Sequence, residues 1–507
     1  MPVARTLAVA LHGVDGGLVE IEADLANGLP AFTIIGLPDT ALGEAKDRVR
    51  SAAANSGCDL PARKVTVNLS PASLPKHGSG FDLGIAVAAL ATTGIVSTAA
   101  IASVVHLGEL SLDGRLRPVA GVLPAVLAAR RAQARAVVVP TGNAIEAGLV
   151  PGIRIISAAS LRDVLIVHGA ALEPILVEPL AAATVPELAT ESGDLADVVG
   201  HPEAVEALQV AAAGGHHMLM LGPPGAGKTL LASRLPGLLP DLEPDAAVEV
   251  SSIRSLAGLP LGNSLVTRPP LEAPHHSATM AALVGGGSGL VRPGAISRAA
   301  HGVLFLDEAP EFSGAVLDAL RQPLETGEIT IHRARTVARF PARFQLVLAA
   351  NPCPCGNGGN DDCTCTPIMR RRYLGRLSGP LLDRIDLHLT VRRVGAAQMT
   401  DGAVADGATS ASARVRVAEA RARARARWAD NGWALNAHVP GPALRTEAWR
   451  LPAGDRAALD RALERGAITM RGYDRVLRVA WTLADLDGVN RPGADQLGRA
   501  LYLRKGM

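Results

Sequence analysis

The chain has 507 residues, too many for one hydrophobic core, so about two to four domains are expected. Hydrophobic residues at 48% and charged residues at 19% exclude a disordered chain. A net charge of +2 excludes a global cationic field, so any nucleic-acid contact must be a local patch, and 3% aromatics argue for backbone contacts over base-stacking platforms.

In chain order, Arg5 and a short apolar run are broken by His12, Gly13 and Asp15 too early for a signal peptide. Leu7–Leu11 and Leu18–Ala23 alternate around Gly13 and Gly16-Gly17 and predict strands, as does Phe32–Ile35. Asp39 is the expected N-cap of a helix running to about Ser56. Further strands are predicted over 65–69, 104–107 and 136–139, with helices over 82–93 and 121–133, which makes residues 1–170 an α+β domain. Leu83 to Val105 carries no charge and is long enough to span a bilayer. Its Ala, Gly, Ser and Thr content and the Thr92-Thr93-Gly94 break predict two short core helices instead, with no membrane contact. Residues 171–195, rich in Ala, Pro and Glu, read as a linker.

The next domain, 196–395, is organised around Gly222-Pro223-Pro224-Gly225-Ala226-Gly227-Lys228-Thr229, which matches the phosphate-binding P-loop. His216–Leu221 reads as the strand leading in and Leu230–Leu235 as the helix leading out, its positive end toward the phosphates. In that motif Lys228 reaches the β/γ oxygens of ATP and the Thr229 hydroxyl holds Mg²⁺. A helix over 203–213 precedes it. Gly302 to Glu308 is an apolar strand ending in two acids: Asp307 for Mg²⁺ and Glu308 to orient the attacking water. A second strand, Phe344–Ala350, ends at Asn351, whose amide suits the same water. A P-loop followed by these two strands specifies an AAA+ ATPase with Walker B and sensor-1 residues.

Leu317, Leu320 and Leu324 mark one helix face. Glu328–His332 and Thr336–Phe340 then pair across a basic turn, so His332, Arg333, Arg335 and Arg339 are candidate DNA-binding residues, with an edge-protected exposed hairpin as the alternative. Cys353, Cys355, Cys363 and Cys365 lie within thirteen residues. C-x-C…C-x-C supplies four thiolates to a tetrahedral Zn²⁺, with free or redox thiols as the alternative. With no secretory signal, this cysteine usage points to the reducing cytosol. Arg384 stands in Asp383-Arg384-Ile385-Asp386, either as a residue reaching another subunit or in a surface ion pair with Asp383 or Asp386.

Residues 396–413 read as a hinge. In 414–507, the arginines Arg416, Arg421, Arg423, Arg425 and Arg427 splay around one helix, open to DNA, solvent or a neighbouring subunit. Helices over 455–465 and 472–487 follow, with Gly488 closing the second.

Three resemblances rest on these residues. Pro75 to Asp82 and Leu107 to Leu123 resemble the proteolytic domain of Lon, a fold shared with ribosomal protein S5. Pro124 stands where the Lon lysine belongs, and Gly80 or Asp82 stands at the nucleophile, which leaves Ser79 an ordinary alcohol without peptidase chemistry. The nucleotide motifs, together with Ala212–His216, Ala273–Ala278, Leu283–Gly289 and Asn351–Gly356, resemble the ComM/YifB family of magnesium-chelatase-like AAA+ proteins over nearly the whole chain. Thr469-Met470-Arg471 is similar to the sensor-2 position of the chelatase and MCM group, with Arg475 and Arg478 as rivals.

The resemblance implies a helix-2 insert, within which His275-His276 has a structural role and Gly285–Gly289 forms a loop. It also implies a pre-sensor-1 hairpin facing a central pore and a C-terminal helical lid. Arg384 becomes an arginine finger supplied in trans, the assembly a homo-hexamer, and the activity ATP-driven branch migration of single-stranded or branched DNA in transformation or recombination. A chelatase-type remodeller and an ATP-dependent protease are the rival activities.

Overall fold

The computed structural model describes residues 3–36, 40–181, 193–287, 291–332, 337–357, 363–395 and 409–505. The expected N-cap Asp39 lies outside them, as do linker residues 182–192 and the hinge segment 396–408.

The first domain is built on a seven-stranded sheet in the order Ala31–Ile35, Lys64–Ser70, Asp15–Ala26, Ala4–His12, Val104–His106, Ala136–Pro140, Arg154–Ala158. Side chains alternate across it, so one strand feeds two cores. Ala136 and Val138 pack with helix Asp82–Ala91 on one face, Val137 and Val139 with helix Val122–Arg131 on the other. The uncharged stretch after residue 82 resolves into a helix buried at all ten positions, a single turn Thr98–Ile101 and a strand. No helix among the described residues is long and apolar enough to cross a membrane. The strand Arg154–Ala158 and the helix Leu161–Val167, held by a Ser160–Asp163 capping box, were not legible in the sequence pattern.

The second domain carries a five-stranded parallel sheet in the order Leu271–Glu272, Val303–Leu306, Gln345–Ala350, Met218–Leu221, Leu387–Thr390. Every residue of Val303–Leu306 and Gln345–Ala350 is buried, as strands covered on both faces require. Ligands meet such sheets at the carboxyl ends of their strands. The face marked by Leu317, Leu320 and Leu324 breaks into two short helices, Gly314–Ala319 and Arg321–Thr326, the second holding Pro323 in its first turn.

Helices Ser410–Trp428, Ala453–Glu464, Met470–Asp487 and Ala494–Lys505 form the C-terminal part and share one core with the P-loop helices. Helix Ser410–Trp428 begins inside the expected hinge, because Thr409 and Ser412 form a capping box: small polar residues there start a helix rather than a loop. Its six arginines all bond within the chain, Arg414 to Asp241, Arg416 to Gln209, Arg421 to the Ala212 carbonyl, Arg423 and Arg427 to Asp485, and Arg425 to Glu243.

The first domain rests on the second. Leu11 and Val14, at the tip of its first hairpin, pack with Leu256, Val291, Ala338, Phe340 and Ile331. Gly13 forms a β-bridge with Arg339. Beside this seam, the Ser255 hydroxyl donates to Glu146, which also accepts from the Leu123 N–H at 2.9 Å.

Candidate nucleotide site and its neighbours

The strand Met218–Leu221 runs into the P-loop, and helix Lys228–Leu238 starts directly after it. Lys228 folds back on its own loop: Nζ donates to the carbonyls of Gly222 at 2.6 Å and Pro223 at 3.0 Å, and to Asn351 Oδ1 at 3.0 Å. Burial pulls its pKa down, against the opposing pull of Asp307 and Glu308. Thr229 Oγ1 donates to Asp307 Oδ2 at 2.7 Å. Three neighbouring parallel strands thus bring Lys228, Thr229, Asp307 and Asn351 together.

Glu308 follows Asp307 in a left-handed conformation, φ +50°, rare for a residue with a side chain. Its N–H donates to Asp307 Oδ1 at 2.9 Å. Its carboxylate is 49% exposed and lies 3.3 Å from His276 Nδ1. His276, expected to have a structural role within the insert, therefore also touches Glu308; His275 turns to Ser277 at 2.8 Å. Nothing local in Pro274-His275-His276 signals this contact, which bridges thirty-two positions.

Arg384 pairs with Glu325 and donates to the Pro380 carbonyl, with 15% of its side chain exposed. The ion pairs its neighbours suggested are taken elsewhere: Asp383 pairs with Arg471 at 3.4 Å, Asp386 with Arg475 and with His216 Nδ1 at 3.1 Å. Burial lowers the Arg384 pKa, and Arg321 and Arg471 lower it further. Burial alone would raise Asp386, but Arg475 and His216 outweigh it and hold its carboxyl well below the usual range. His216 Nε2 also meets Thr482 at 2.8 Å, so this buried hub ties the P-loop strand to helix Met470–Asp487. Among the three sensor-2 candidates, Arg471 is 75% exposed, while Arg475 is committed to Asp386 and Arg478 is half-buried.

Strands Glu328–His332 and Val337–Pro341 pair antiparallel, with Thr330 opposite Arg339 and His332 opposite Val337. His332 and Arg339 are exposed; Arg333, Arg335 and the rest of the turn lie outside the described residues. The exposed face opens on a cleft of about 540 Å³ lined by His12, Asp15, Thr330, His332, Val337 and Arg339. Two of those six residues, His12 and Asp15, belong to the first domain, which the hairpin's own sequence does not reveal.

The four clustered cysteines place their sulfurs within 4.8 Å of one another. Cys353 lies 3.3 Å from Cys355 and 3.8 Å from Cys363, and Cys355 lies 3.6 Å from Cys363. The Asn357 N–H and the neighbouring thiols bring Cys355 down to about 6. A Cys355 N–H favours the Cys365 thiolate, but burial and the adjoining sulfurs outweigh it and push that thiol up to about 11.

In the first domain, Ser79 bonds Glu109, and Pro124 is buried in helix Val122–Arg131. Lys76, though close in sequence, is fully buried and donates to the carbonyls of Gly36 at 3.0 Å, Leu69 at 3.0 Å and Pro71.

Three family models match: "Magnesium chelatase, subunit ChlI" over 194–399, "Subunit ChlI of Mg-chelatase" over 21–143, and "Magnesium chelatase, subunit ChlI C-terminal" over 407–504. The fold and these matches define a multidomain α/β protein with a magnesium-chelatase-like AAA+ domain. The Mycobacterium tuberculosis protein Rv2897c is 50% identical over 506 residues, covering 100% of this chain and 99% of its own length. Competence protein ComM of Haemophilus influenzae is 43% identical over 507 residues, covering 99% of this chain and 98% of its own. YifB of Escherichia coli is 41% identical over 478 residues, covering 94% and 92%. The chain belongs to the ComM/YifB family.

Proposed function

We propose that this protein is an ATP-driven DNA motor: a homo-hexameric AAA+ ring with ComM-like branch-migration activity in transformation or recombination, working in the cytoplasm. The observation that carries the ATPase half is the bond between Thr229 and Asp307, two hard-oxygen donors brought to 2.7 Å beside the P-loop lysine. These donors fit Mg²⁺, and the start of helix Lys228–Leu238 fits a polyphosphate. Bound ATP supplies the transferable phosphoryl group and Mg²⁺ the charge that neutralises it.

The loop from Gly222 to Gly227 cradles the phosphates with the backbone N–H groups of its non-proline residues. Lys228 leaves the Gly222 and Pro223 carbonyls for the phosphate oxygens. Thr229 and Asp307 hold the cation. Glu308, after parting from His276, orients the attacking water, and Asn351 positions it. Arg384 leaves Glu325 to reach the nucleotide of the adjoining subunit, and Arg471 approaches from the lid. Residues 1–170 serve as a Lon/S5-like platform without peptidase chemistry. The DNA half is supported by the relative named a competence protein and by His332 and Arg339 on the exposed hairpin face, with Arg333 and Arg335 adding basic charge between the two strands in the sequence.

The test is ATP turnover with and without forked DNA, beside strand displacement from the same substrate. The wild type should hydrolyse ATP faster with DNA and move branches. Lys228→Ala should lose turnover. A turnover-competent ring that neither responds to DNA nor displaces a strand refutes the motor and leaves a chelatase-like protein remodeller.

A further inference from the structure

We propose that Cys353, Cys355, Cys363 and Cys365 hold one Zn²⁺ and that this ion is a structural cofactor of the nucleotide site, fixing the turn that seats Gly356 against Pro224 of the P-loop.

The sulfur spacing fits the ion. A tetrahedral centre with Zn–S bonds of about 2.3 Å separates its ligands by about 3.8 Å. The separations of 3.8 and 3.6 Å sit at that value, the closest falls inside it at 3.3 Å, and all four sulfurs lie within 4.8 Å of one another. The donor set fits as well: four soft thiolates select zinc over the hard cation held by Thr229 and Asp307. The segment from Pro354 to Cys365 has no large apolar side chain, so it has no core of its own to offset the entropy of ordering. Yet its ends are buried, Cys353 fully and Cys365 to 9% exposed. A metal supplies the missing order.

The turn then transmits that order to the P-loop. The Gly356 N–H donates to the Cys353 carbonyl at 3.0 Å and closes the turn. Gly356 sits at φ +83°, and a Cβ there would stand 2.6 Å from both Cδ and Cγ of Pro224. Only a glycine lets the two backbones meet this closely. Two residues before Cys353, Asn351 accepts from Lys228 at 3.0 Å. On the other side, Arg393 Nε donates to the Pro224 carbonyl at 3.3 Å. The cysteine turn is thus one wall of the loop that carries the phosphates.

The coupling rests on the ATP-binding reading above, so metal and nucleotide are measured separately. Full-length protein, purified without chelator, is assayed for metal by mass spectrometry and for a fluorescent ATP analogue by titration. The expected result is one zinc per chain. A Cys363→Ser/Cys365→Ser variant should lose the zinc and bind the analogue about tenfold more weakly. Stripping wild-type protein with a chelator should do the same, and adding zinc back should restore it, which covers a variant that fails to fold. Gly356→Ala should keep the zinc and still weaken the analogue. Zinc-free wild-type protein that binds the analogue overturns the proposal alone. Unchanged affinity after zinc loss, or in Gly356→Ala, overturns the coupling. Wild-type protein that carries zinc but binds no nucleotide refutes both the ATPase reading and the coupling, while the metal count stands.

Discussion

Replacing Gly13 with alanine should detach the hairpin Glu328–His332/Val337–Pro341 from the first domain. Gly13 holds φ +69°, which costs a residue with a Cβ about 1–2 kcal/mol. The new Cβ would also overlap the Arg339 carbonyl, standing 2.9 Å from its carbon. That atom is backbone and has no rotamer to retreat into, so the β-bridge between Gly13 and Arg339 must open. With the strain taken as about 1–3 kcal/mol, local opening becomes about 5- to 150-fold more frequent. Hydrogen exchange reads this directly: amides of Val337 to Phe340 should exchange faster by about tenfold or more, while those of Gln345 to Ala350 in the buried sheet should not change. Gly28→Ala is the control, since its Cβ would meet only Lys64 Cβ at 3.7 Å. Equal protection in Gly13→Ala and wild type refutes the brace. If the hairpin handles DNA as proposed, the same variant should also lose DNA stimulation of turnover.

Asp386→Ala would leave Arg475 and His216 buried without their acid and should cost about 3–5 kcal/mol, seen as an earlier denaturant midpoint for the second domain. An unshifted midpoint contradicts the hub. His276→Ala removes the 3.3 Å contact with the half-exposed Glu308 carboxylate, worth at most about 1 kcal/mol, so DNA-free ATP turnover should rise by up to about fivefold with ATP affinity unchanged. A flat or falling rate shows that the ring does not restrain the carboxylate. Burial lowers His106 to about 3 and His217 and His388 to about 4, from an ordinary 6.5. These rings stay neutral in the fold and take protons when it opens, so stability is complete above about pH 6.5 and is lost on acidification by about 1.4 kcal/mol per pH unit for each ring. Asp82, raised to about 6 by burial, works the other way between about 4 and 6, but one carboxyl opposes three rings. The urea midpoint should therefore fall from pH 7.5 to pH 5; a constant or rising midpoint contradicts this.

The nucleotide site was legible because its parts are local: the P-loop spans eight residues, and each acid or amide follows directly on its own apolar strand. The parallel sheet then joins them without further information. What escaped the sequence is long-range. The Glu308–His276, Arg384–Glu325 and Gly13–Arg339 contacts each depend on how separate elements pack, and no periodicity encodes a partner. The arginines of Ser410–Trp428 show the reverse error: a run of charges reads as surface, yet Arg421 and Arg427 reach carbonyl and carboxylate oxygens in the interior. The Gly, Ala, Ser and Thr composition before that helix read as hinge because Thr409 and Ser412 serve equally well in a cap.

The Arg384–Glu325 pair has a consequence for how chains come together. If Arg384 acts in trans as proposed, a guanidinium already paired at home has to be released before it can serve a neighbour, and only a strongly anionic ligand across the seam repays that release. On that proposal association and nucleotide occupancy would be linked by mass action: bound ATP would lower the concentration at which subunits gather, and its conversion to the diphosphate would let each arginine return to its own glutamate. A ring built this way would loosen a joint once the nucleotide there is spent.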